Sequence, residues 1–417
     1  MVDRSSFSSA FSLWSHRAAA SQVAALPFRM AAIAFGESRR FVKVRIEVSV
    51  ELNSASQRES PLHATEVNLG ATFGLFDGWE MAERYSDSKM EHLSVRNSVG
   101  VVDLSYHGAI KISGGEAAQF LNGMVTNNVK ELVPGGGVRA AFLTGHGKVR
   151  AFCRILGLDD GYLVVTDPST HENVFKYVFP FTYAGDFKVA DVSDSYRLLS
   201  VQGPKSHLVM KEICFEPVPV LDEHHSFHTL IAGHRALVAR ASHTGEDGYD
   251  IFVPQTALGD VWDFILLKGQ FHSIVPLGLR ALDSLRIEAG IPVYGVDVDE
   301  TNMMLEAGLA DAVSFTKGCY TGQEAVAMAT YRGHVSKRLA GLAVSGALAP
   351  TRGDVIRKDG KDIGLVTSAL DSPSLASVIA LAYLKFGFFD AGTTVEIQTQ
   401  QGPVEARVAE LPFYHKN

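Results

Sequence analysis

The sequence is poor in cysteine, in basic charge and in long apolar runs. Its 417 residues include three cysteines, Cys153, Cys214 and Cys319, with no C-x-x-C pair, which argues against a metal centre or iron–sulfur cluster held by this chain alone. Lys and Arg number 38 against 46 Asp and Glu, so no basic excess indicates a nucleic-acid partner. No apolar run approaches the ~20 residues of a membrane-spanning helix. The remaining composition, 46% hydrophobic and 20% charged, is typical of a globular protein with two or three domains.

The first sixty residues differ in composition from the rest of the chain. No acidic residue lies between Asp3 and Glu37, and the opening segment is rich in serine, a composition typical of organelle import leaders. We therefore expect residues 1–65 to be a transit peptide, with a plain disordered tail as the alternative. The serine content favours the chloroplast stroma as the destination over the mitochondrial matrix.

Strand and helix patterns are mixed along the remaining chain. Residues 149–156 alternate apolar and basic side chains like a half-buried strand, which places Cys153 in the core. Helices are predicted around Trp262 and from Arg280 to Glu288. After about residue 336, short apolar runs separated by Gly, Asp and Pro predict a small all-β barrel or sandwich. We expect one domain over residues 66–335 and a second over residues 336–417.

The stretch K-G-C-Y-T-G-Q-E, residues 317–324, has the residue types of a reactive-thiol site. Cys319 follows Lys317 closely, and a positive charge favours the thiolate. Gly318 and Gly322 would let the backbone turn tightly and approach a ligand. A buried structural cysteine in a glycine-rich turn is the alternative, and the spacing does not decide between the two.

The second half of this stretch has a helix-start signature. Thr321-x-x-Glu324 matches a capping box, so the next helix would open at Gly322 and Gln323. The helix N-terminus would then add its own positive potential at Cys319.

These eight residues resemble the signature of the YgfZ branch of the folate-binding T-protein-like proteins, relatives of the glycine-cleavage aminomethyltransferase. Further stretches match the same superfamily in order: V-D-L-S-Y-H-G at 102–108, L-L-S-V-Q-G-P at 198–204, T-G-E-D-G-Y-D-I at 244–251, L-D-S-L-R-I-E-A-G at 282–290, L-E-A-G-L at 305–309 and V-A-E-L-P-F-Y at 408–414. The resemblance covers roughly residues 70–415. It implies an α+β fold, in which two interleaved α+β subdomains bind tetrahydrofolate and are followed by a C-terminal β-barrel.

The resemblance also implies roles for individual residues. Asp250 matches a glutamate that accepts the paired N–H groups of the pterin ring, and His243 stands where the T-protein has a tyrosine beside the folate. Asn128 replaces the catalytic aspartate, and an amide cannot act as a carboxylate base. Leu282 replaces an arginine that could pair with the anionic tail of the folate. Gln323 is a further candidate ligand contact.

Three functions follow from this resemblance as expectations. The YgfZ branch implies a folate-dependent protein that supports iron–sulfur cluster assembly or repair in client proteins, with Cys319 and Lys317 as its reactive groups and Arg332 adding positive charge. The alternative is a folate-dependent aminomethyl- or methyl-transferase, against which Asn128 counts. A folate-binding scaffold without chemistry is the third. Each uses tetrahydrofolate or a derivative, and none needs a permanently bound metal.

Overall fold

The structure, a computed structural model, describes residues 58–331 and 333–416. Most of the predicted leader and Arg332 therefore lie outside the described residues. Residues 58–65 belong to the folded unit, because Arg58–Glu59 pairs with a neighbouring strand and Leu62 is only 1% exposed. The predicted leader boundary at residue 65 is therefore too late in the chain, because it includes the buried side chain of Leu62.

The elements alternate between strands and helices from residue 58 onward. In the described residues the helices are α1 His63–Asn68, α2 Ser88–Asn97, α3 Ala117–Met124, α4 Pro168–Val178, α5 Ser206–Ile213, α6 Leu258–Gly269, α7 Leu279–Glu288 and α8 Gln323–Tyr331. The strands are β1 Arg58–Glu59, β2 Thr72–Phe76, β3 Trp79–Arg84, β4 Val99–Asp103, β5 Gly108–Ser113, β6 Gly137–Leu143, β7 Val149–Leu158, β8 Gly161–Thr166, β9 Lys188–Asp191, β10 Arg197–Gln202, β11 Ser226–Ile231, β12 His234–Arg240, β13 Gly248–Val253, β14 Ile274–Pro276, β15 Lys337–Val344, β16 Val355–Lys358, β17 Lys361–Ser372, β18 Ser377–Lys385, β19 Thr394–Thr399 and β20 Gly402–Ala409. None of these helices is both long and apolar enough to cross a membrane.

Two large sheets form the body of the molecule. One has six strands in the order β11-β12-β13-β10-β4-β14, and the other has five in the order β6-β7-β8-β5-β9. A shared core joins them, since Leu198 and Phe252 of the first sheet cluster with Leu156 and Val165 of the second. Helices α5 and α6 cover the outer face of the first sheet around the fully buried Trp262, and α3 and α4 cover the second. Helices therefore cover the outer faces of both sheets, and the cavity described below lies between their inner faces.

The C-terminal strands close into a barrel in the order β15-β18-β17-β16-β19-β20. The fold is thus the expected α+β body with a C-terminal all-β barrel. Ile287 of α7 packs on the outer barrel residues Leu339, Ile379 and Leu381. The helix that carries Leu282 and Arg286 to the cavity is in this way held between the body and the barrel.

Candidate functional site

A cavity of about 380 Å³ lies between the two large sheets and α7, within the ~300–1,000 Å³ typical of small-ligand pockets. Its walls combine apolar side chains with an unusual number of ionisable ones. The ionisable residues that line it are Asp77, His107, Arg139, Arg154, Asp167, Glu223, His224, His243, Arg286 and Asp311. Such a wall is suited to a polar ligand rather than to a hydrocarbon.

A fully buried carboxylate, Asp250, lies behind this wall on β13. The hydroxyl of Ser200, its cross-strand partner on β10, donates to Oδ1 at 2.6 Å, and Nε2 of His243 lies 3.0 and 3.2 Å from the two carboxylate oxygens. Arg154 closes an ion pair with Oδ2. Burial alone would raise the pKa of Asp250, but Arg154 and His243 hold it below its usual range. The carboxylate is therefore ionised, and its acceptor sites are taken.

The surrounding hydrogen bonds fix His243 in place. Gln202 accepts a hydrogen bond from the His243 backbone N–H at 2.9 Å and donates to Ser200 Oγ at 2.9 Å. The structure thus brings Asp250 and His243 together, as the resemblance implies, and places His243 on the cavity wall. Arg154, His243 and Ser200 contact the same oxygens that are expected to accept the pterin N–H groups, so that role of Asp250 stays a prediction.

Two arginines stand side by side in the five-stranded sheet. Arg139 on β6 and Arg154 on β7 are cross-strand partners, and both line the cavity. Arg139 has Asp311 at 3.7 Å, and Asp311 is largely exposed. Arg154 pairs with Asp250, and its buried Nη1 has no hydrogen-bond partner among the described residues. A buried guanidinium nitrogen without a partner is costly, and less than 1 Å² of this nitrogen is accessible.

Two of the cavity histidines, His107 and His224, are held neutral. Burial lowers the pKa of His107 to about 3, with help from His243 and Arg154. Burial also lowers the pKa of His224 to about 3, where Arg154 and Arg139 act in the same direction. At neutral pH both rings therefore offer one donor and one acceptor rather than a charge.

Asp167 presents a second carboxylate to the cavity, beyond the end of β8. It occupies the N-cap position of α4, yet its side chain makes no capping hydrogen bond, and no described residue donates to its oxygens. Burial between the cavity walls raises the pKa of Asp167 to about 6, although Arg154 opposes the rise. The side chain is therefore directed to the cavity with acceptor capacity unused.

The K-G-C-Y-T-G-Q-E loop lies outside this cavity, since none of its residues lines it. The Lys317 ammonium donates to the backbone carbonyls of Asn122, Val125 and Asn127 at 2.7, 2.8 and 2.6 Å, and burial lowers its pKa to about 8. Cys319 is exposed, which excludes the buried structural cysteine. The ammonium thus ties the loop to the segment after α3, and its expected support of the Cys319 thiolate stays a prediction.

The start of α8 also differs from its predicted form. Helix α8 begins at Gln323, as expected, but neither Thr321 nor Glu324 makes a side-chain capping bond among the described residues. The Thr321 backbone N–H instead donates to Gly123 O at 3.1 Å. The capping box is therefore not formed, because tertiary contacts fix the backbone entry to the helix.

Asn128 lies on the segment between α3 and β6 to which Lys317 is bonded. Its backbone N–H donates to Asn127 Oδ1 at 2.9 Å, and its own Oδ1 accepts from Lys130 N at 3.2 Å. Asn128 is not among the residues that line the cavity. The structure therefore places Asp250 and His243 at one site, and Lys317, Cys319 and Gln323 on a separate loop that contacts the Asn128 segment.

Sequence reasoning did not identify Arg139, Arg154 or Asp167 as site residues. Arg154 belongs to the polar half of an alternating strand, which is ordinarily the solvent face. The Asp167-Pro168 pair has the residue types of a helix start. Because that pattern already accounts for an aspartate, it gave no reason to expect a carboxylate directed to a cavity.

The two loop glycines provide a matched stability test. Gly322 has φ +83° and a Cβ there would lie 2.6 Å from Thr144 O, whereas a Cβ at Gly318 would meet no atom within 4 Å and its φ is not positive. We expect Gly322→Ala to lower the free energy of unfolding by more than about 2 kcal/mol. Gly318→Ala should change it by less than about 1 kcal/mol. Urea denaturation measures both, and equal losses would contradict this account of the loop.

Comparison with known proteins identifies relatives over nearly the whole described chain. Residues 62–317 match the model of the GCVT N-terminal domain, and residues 337–415 match that of the glycine cleavage T-protein C-terminal barrel domain. The aminomethyltransferase of Streptomyces coelicolor is 33% identical over 373 residues, 88% of this chain and 100% of the relative. That of Saccharopolyspora erythraea is 31% identical over 366 residues, 87% and 100% of the two chains. The crystal structure of glycine cleavage system aminomethyltransferase T from Bartonella henselae superposes with a TM-score of 0.80 at 25% identity, covering 87% of this chain and 99% of that one.

Proposed function

Since the chain belongs to the glycine cleavage T-protein family, we propose that it binds a reduced folate in the cavity and transfers a one-carbon group, as a folate-dependent aminomethyl- or methyl-transferase. The observation that carries the proposal is the cavity wall itself. It combines apolar surface with an arginine that has an unpaired buried nitrogen, a carboxylate with unused oxygens and neutral histidines. A pterin has a flat apolar body and a polar edge, so it needs both kinds of surface.

The position of Asn128 limits the chemistry within this proposal. In the resemblance this residue replaces an aspartate, and an amide neither takes up a proton nor offsets a developing positive charge at neutral pH. The transfer would then depend on ionisable groups of the cavity. Transfer of an aminomethyl group from a lipoyl thioether to tetrahydrofolate gives methylenetetrahydrofolate, ammonia and the free thiol. The two N–H protons lost by the folate end on the ammonia and on the sulfur.

The test combines binding with turnover. We expect tetrahydrofolate to bind the purified protein in calorimetric titration, and ammonia to be released slowly from an aminomethyl-lipoyl carrier in its presence. Asn128→Asp should raise the turnover rate, by up to the ~10²–10⁴-fold that a positioned general acid–base group contributes, with little effect on folate affinity. Lys130→Met, an exposed change two residues away, is the control.

The outcomes separate the two parts of the proposal. Absence of tetrahydrofolate binding would refute the assignment of the cavity. Binding without ammonia release by either the native protein or Asn128→Asp would leave a folate-binding protein and refute the transferase activity.

A second candidate function is support of iron–sulfur cluster assembly or repair in client proteins. The specific observation in its favour is the exposed thiol of Cys319 on a loop held by Lys317, outside the cavity. A thiol in that place is accessible to another protein and is not needed for folate contact. The exposed face of the following helix includes Met328 and Tyr331, which would suit such a contact.

The thiol test uses a bacterial strain that lacks its YgfZ protein. Under this second function Cys319→Ser abolishes rescue of iron–sulfur enzyme activity, while the half-buried Cys214→Ser retains it. Equal rescue by both variants would remove Cys319 from the function.

We propose import into a plastid on the composition of residues 1–57 alone. A fluorescent protein fused behind these residues should accumulate in chloroplasts of transfected plant cells. Accumulation in mitochondria would replace the plastid with the mitochondrial matrix, and a cytosolic signal would contradict import altogether.

A further inference from the structure

The segment that follows α7 forms one wall of the cavity. Ile291, Pro292, Val293 and Tyr294 are among the residues that line it. Residues 291–297, called the wall segment below, belong to no regular helix or strand. Because no ladder of backbone hydrogen bonds fixes this wall, its position depends on the side chains that contact it.

The carboxylate of Asp297 holds the wall segment from within. Asp297 is only 2% exposed, and its Oδ2 accepts from the Val293 backbone N–H at 3.1 Å. The same oxygen is paired with the guanidinium of Arg286 on α7, whose Nη1 also donates to Ile291 O at 3.3 Å. The ion pair of Asp297 and Arg286 therefore fixes the backbone of the wall at two of its lining residues.

The C-terminal barrel supplies the other partners of this ion pair. Oδ1 of Asp297 accepts from Thr367 Oγ1 at 2.6 Å and from Ser368 Oγ at 2.7 Å. Ser368 Oγ in turn accepts from Arg286 Nη2 at 3.0 Å. The barrel thus contacts both charges with hydroxyl groups, and it satisfies the carboxylate oxygen that the wall segment and Arg286 leave open.

Two neighbouring hydroxyls reach one oxygen because β17 is irregular at this point. Successive side chains of a regular strand point to opposite faces. Val366 pairs with Ala382 of β18 and Ser368 with the next residue, Leu381, so Thr367 is an extra residue in the strand. Such bulges redirect side chains and are frequent beside functional sites. The bulge accounts for the direction of both hydroxyls towards Asp297.

We propose that Thr367 and Ser368 are positioning residues for the cavity and act through Asp297. Neither residue is among those that line the cavity, so neither is assigned a contact with the ligand. Their hydroxyls fix the carboxylate, and the carboxylate fixes Arg286 and the wall segment. Docking of the barrel and binding of a ligand against this wall then favour each other.

A merely structural role of the two hydroxyls is the alternative. A buried carboxylate needs donors whether or not a ligand is bound, so the loss of a hydroxyl lowers stability in both cases. The two roles differ in a variant that stays folded. A structural role leaves the affinity of the cavity unchanged, whereas a positioning role lowers it because the wall is no longer held in one place.

The affinity test rests on the proposed function and uses tetrahydrofolate with the full chain. We expect Thr367→Val and Ser368→Ala each to raise the Kd in calorimetric titration by at least about fivefold, the lower end of ordinary coupling between sites. Thr367→Ser keeps the hydroxyl and should retain the native Kd. The matched control is Thr399→Val, which removes a hydroxyl bonded at 2.6 Å to Gly402 O within the barrel and should leave the Kd unchanged.

A second measurement needs no ligand. Hydrogen exchange of the backbone amides reports whether the wall segment is held, since the Val293 N–H is bonded to Asp297. We expect Thr367→Val and Ser368→Ala to lose protection at residues 291–297 relative to the native protein and to Thr399→Val. Thermal unfolding confirms that the variants are folded at the temperature of the experiment.

Each outcome supports or overturns a defined statement. If the native protein binds tetrahydrofolate and both hydroxyl variants bind it with the native Kd, this inference is overturned and the proposed function stands. An equal rise of the Kd in Thr399→Val would assign the effect to loss of barrel stability and would also overturn it. If the native protein binds no tetrahydrofolate, the proposed function fails, and exchange decides this inference alone: lost protection supports it and native protection overturns it.

Discussion

The carboxylate of Asp250 is removed from water by the two sheets, and the cavity is arranged around the charge that it carries. An isolated buried carboxylate would take up a proton or destabilise the fold. Arg154, His243 and Ser200 prevent this, and in doing so they fix a guanidinium and an imidazole at the cavity wall. A buried ion pair of this kind contributes little net stability and is better understood as a device that positions the residues in front of it.

The cavity and the cysteine loop are held in place by different contacts. The polar groups of the cavity come from paired strands, whereas the loop is held by an ammonium that bridges three backbone carbonyls. Two chemical functions can therefore change independently on one fold. A folate-dependent transferase would need the cavity and an acid–base group, and a protein that assists clusters in other proteins would need the exposed thiol. Membership of this family is compatible with either of these two functions, because fold alone does not define function.

The architecture could be predicted from the sequence because local patterns and motifs agree along the chain. Alternation in residues 149–156 predicted β7, and the short apolar runs after residue 336 predicted the barrel strands. The stretch T-G-E-D-G-Y-D-I located Asp250, and His243 directly precedes it. The contacts that decide their roles are long-range. Alternation shows that Arg154 and Cys153 point to opposite faces but not that the face of Arg154 meets a buried carboxylate ninety-six residues away in the chain.

The failures of local reasoning have a common physical cause. Lys317 adjoins Cys319 in sequence, yet its ammonium is directed to carbonyls of the segment after α3, which no spacing rule could indicate. Thr321 and Glu324 have the right types and spacing for a capping box, but the Thr321 backbone N–H is bonded to Gly123 O instead. Asp167 has the right type and position for a cap, and the cavity takes its side chain instead. For Lys317 and Thr321 a short-range signal was overridden by a partner that only the folded chain brings near.

The central claim is that Arg154 and His243 hold the buried Asp250 carboxylate ionised behind the cavity that we propose binds a reduced folate. A crystal structure of the protein with a stable reduced folate bound tests it most directly. The account predicts that the pterin lies in the cavity between the two sheets beside His243 while Arg154 remains paired with Asp250. A pterin hydrogen-bonded to Asp250, with Arg154 displaced, would contradict it.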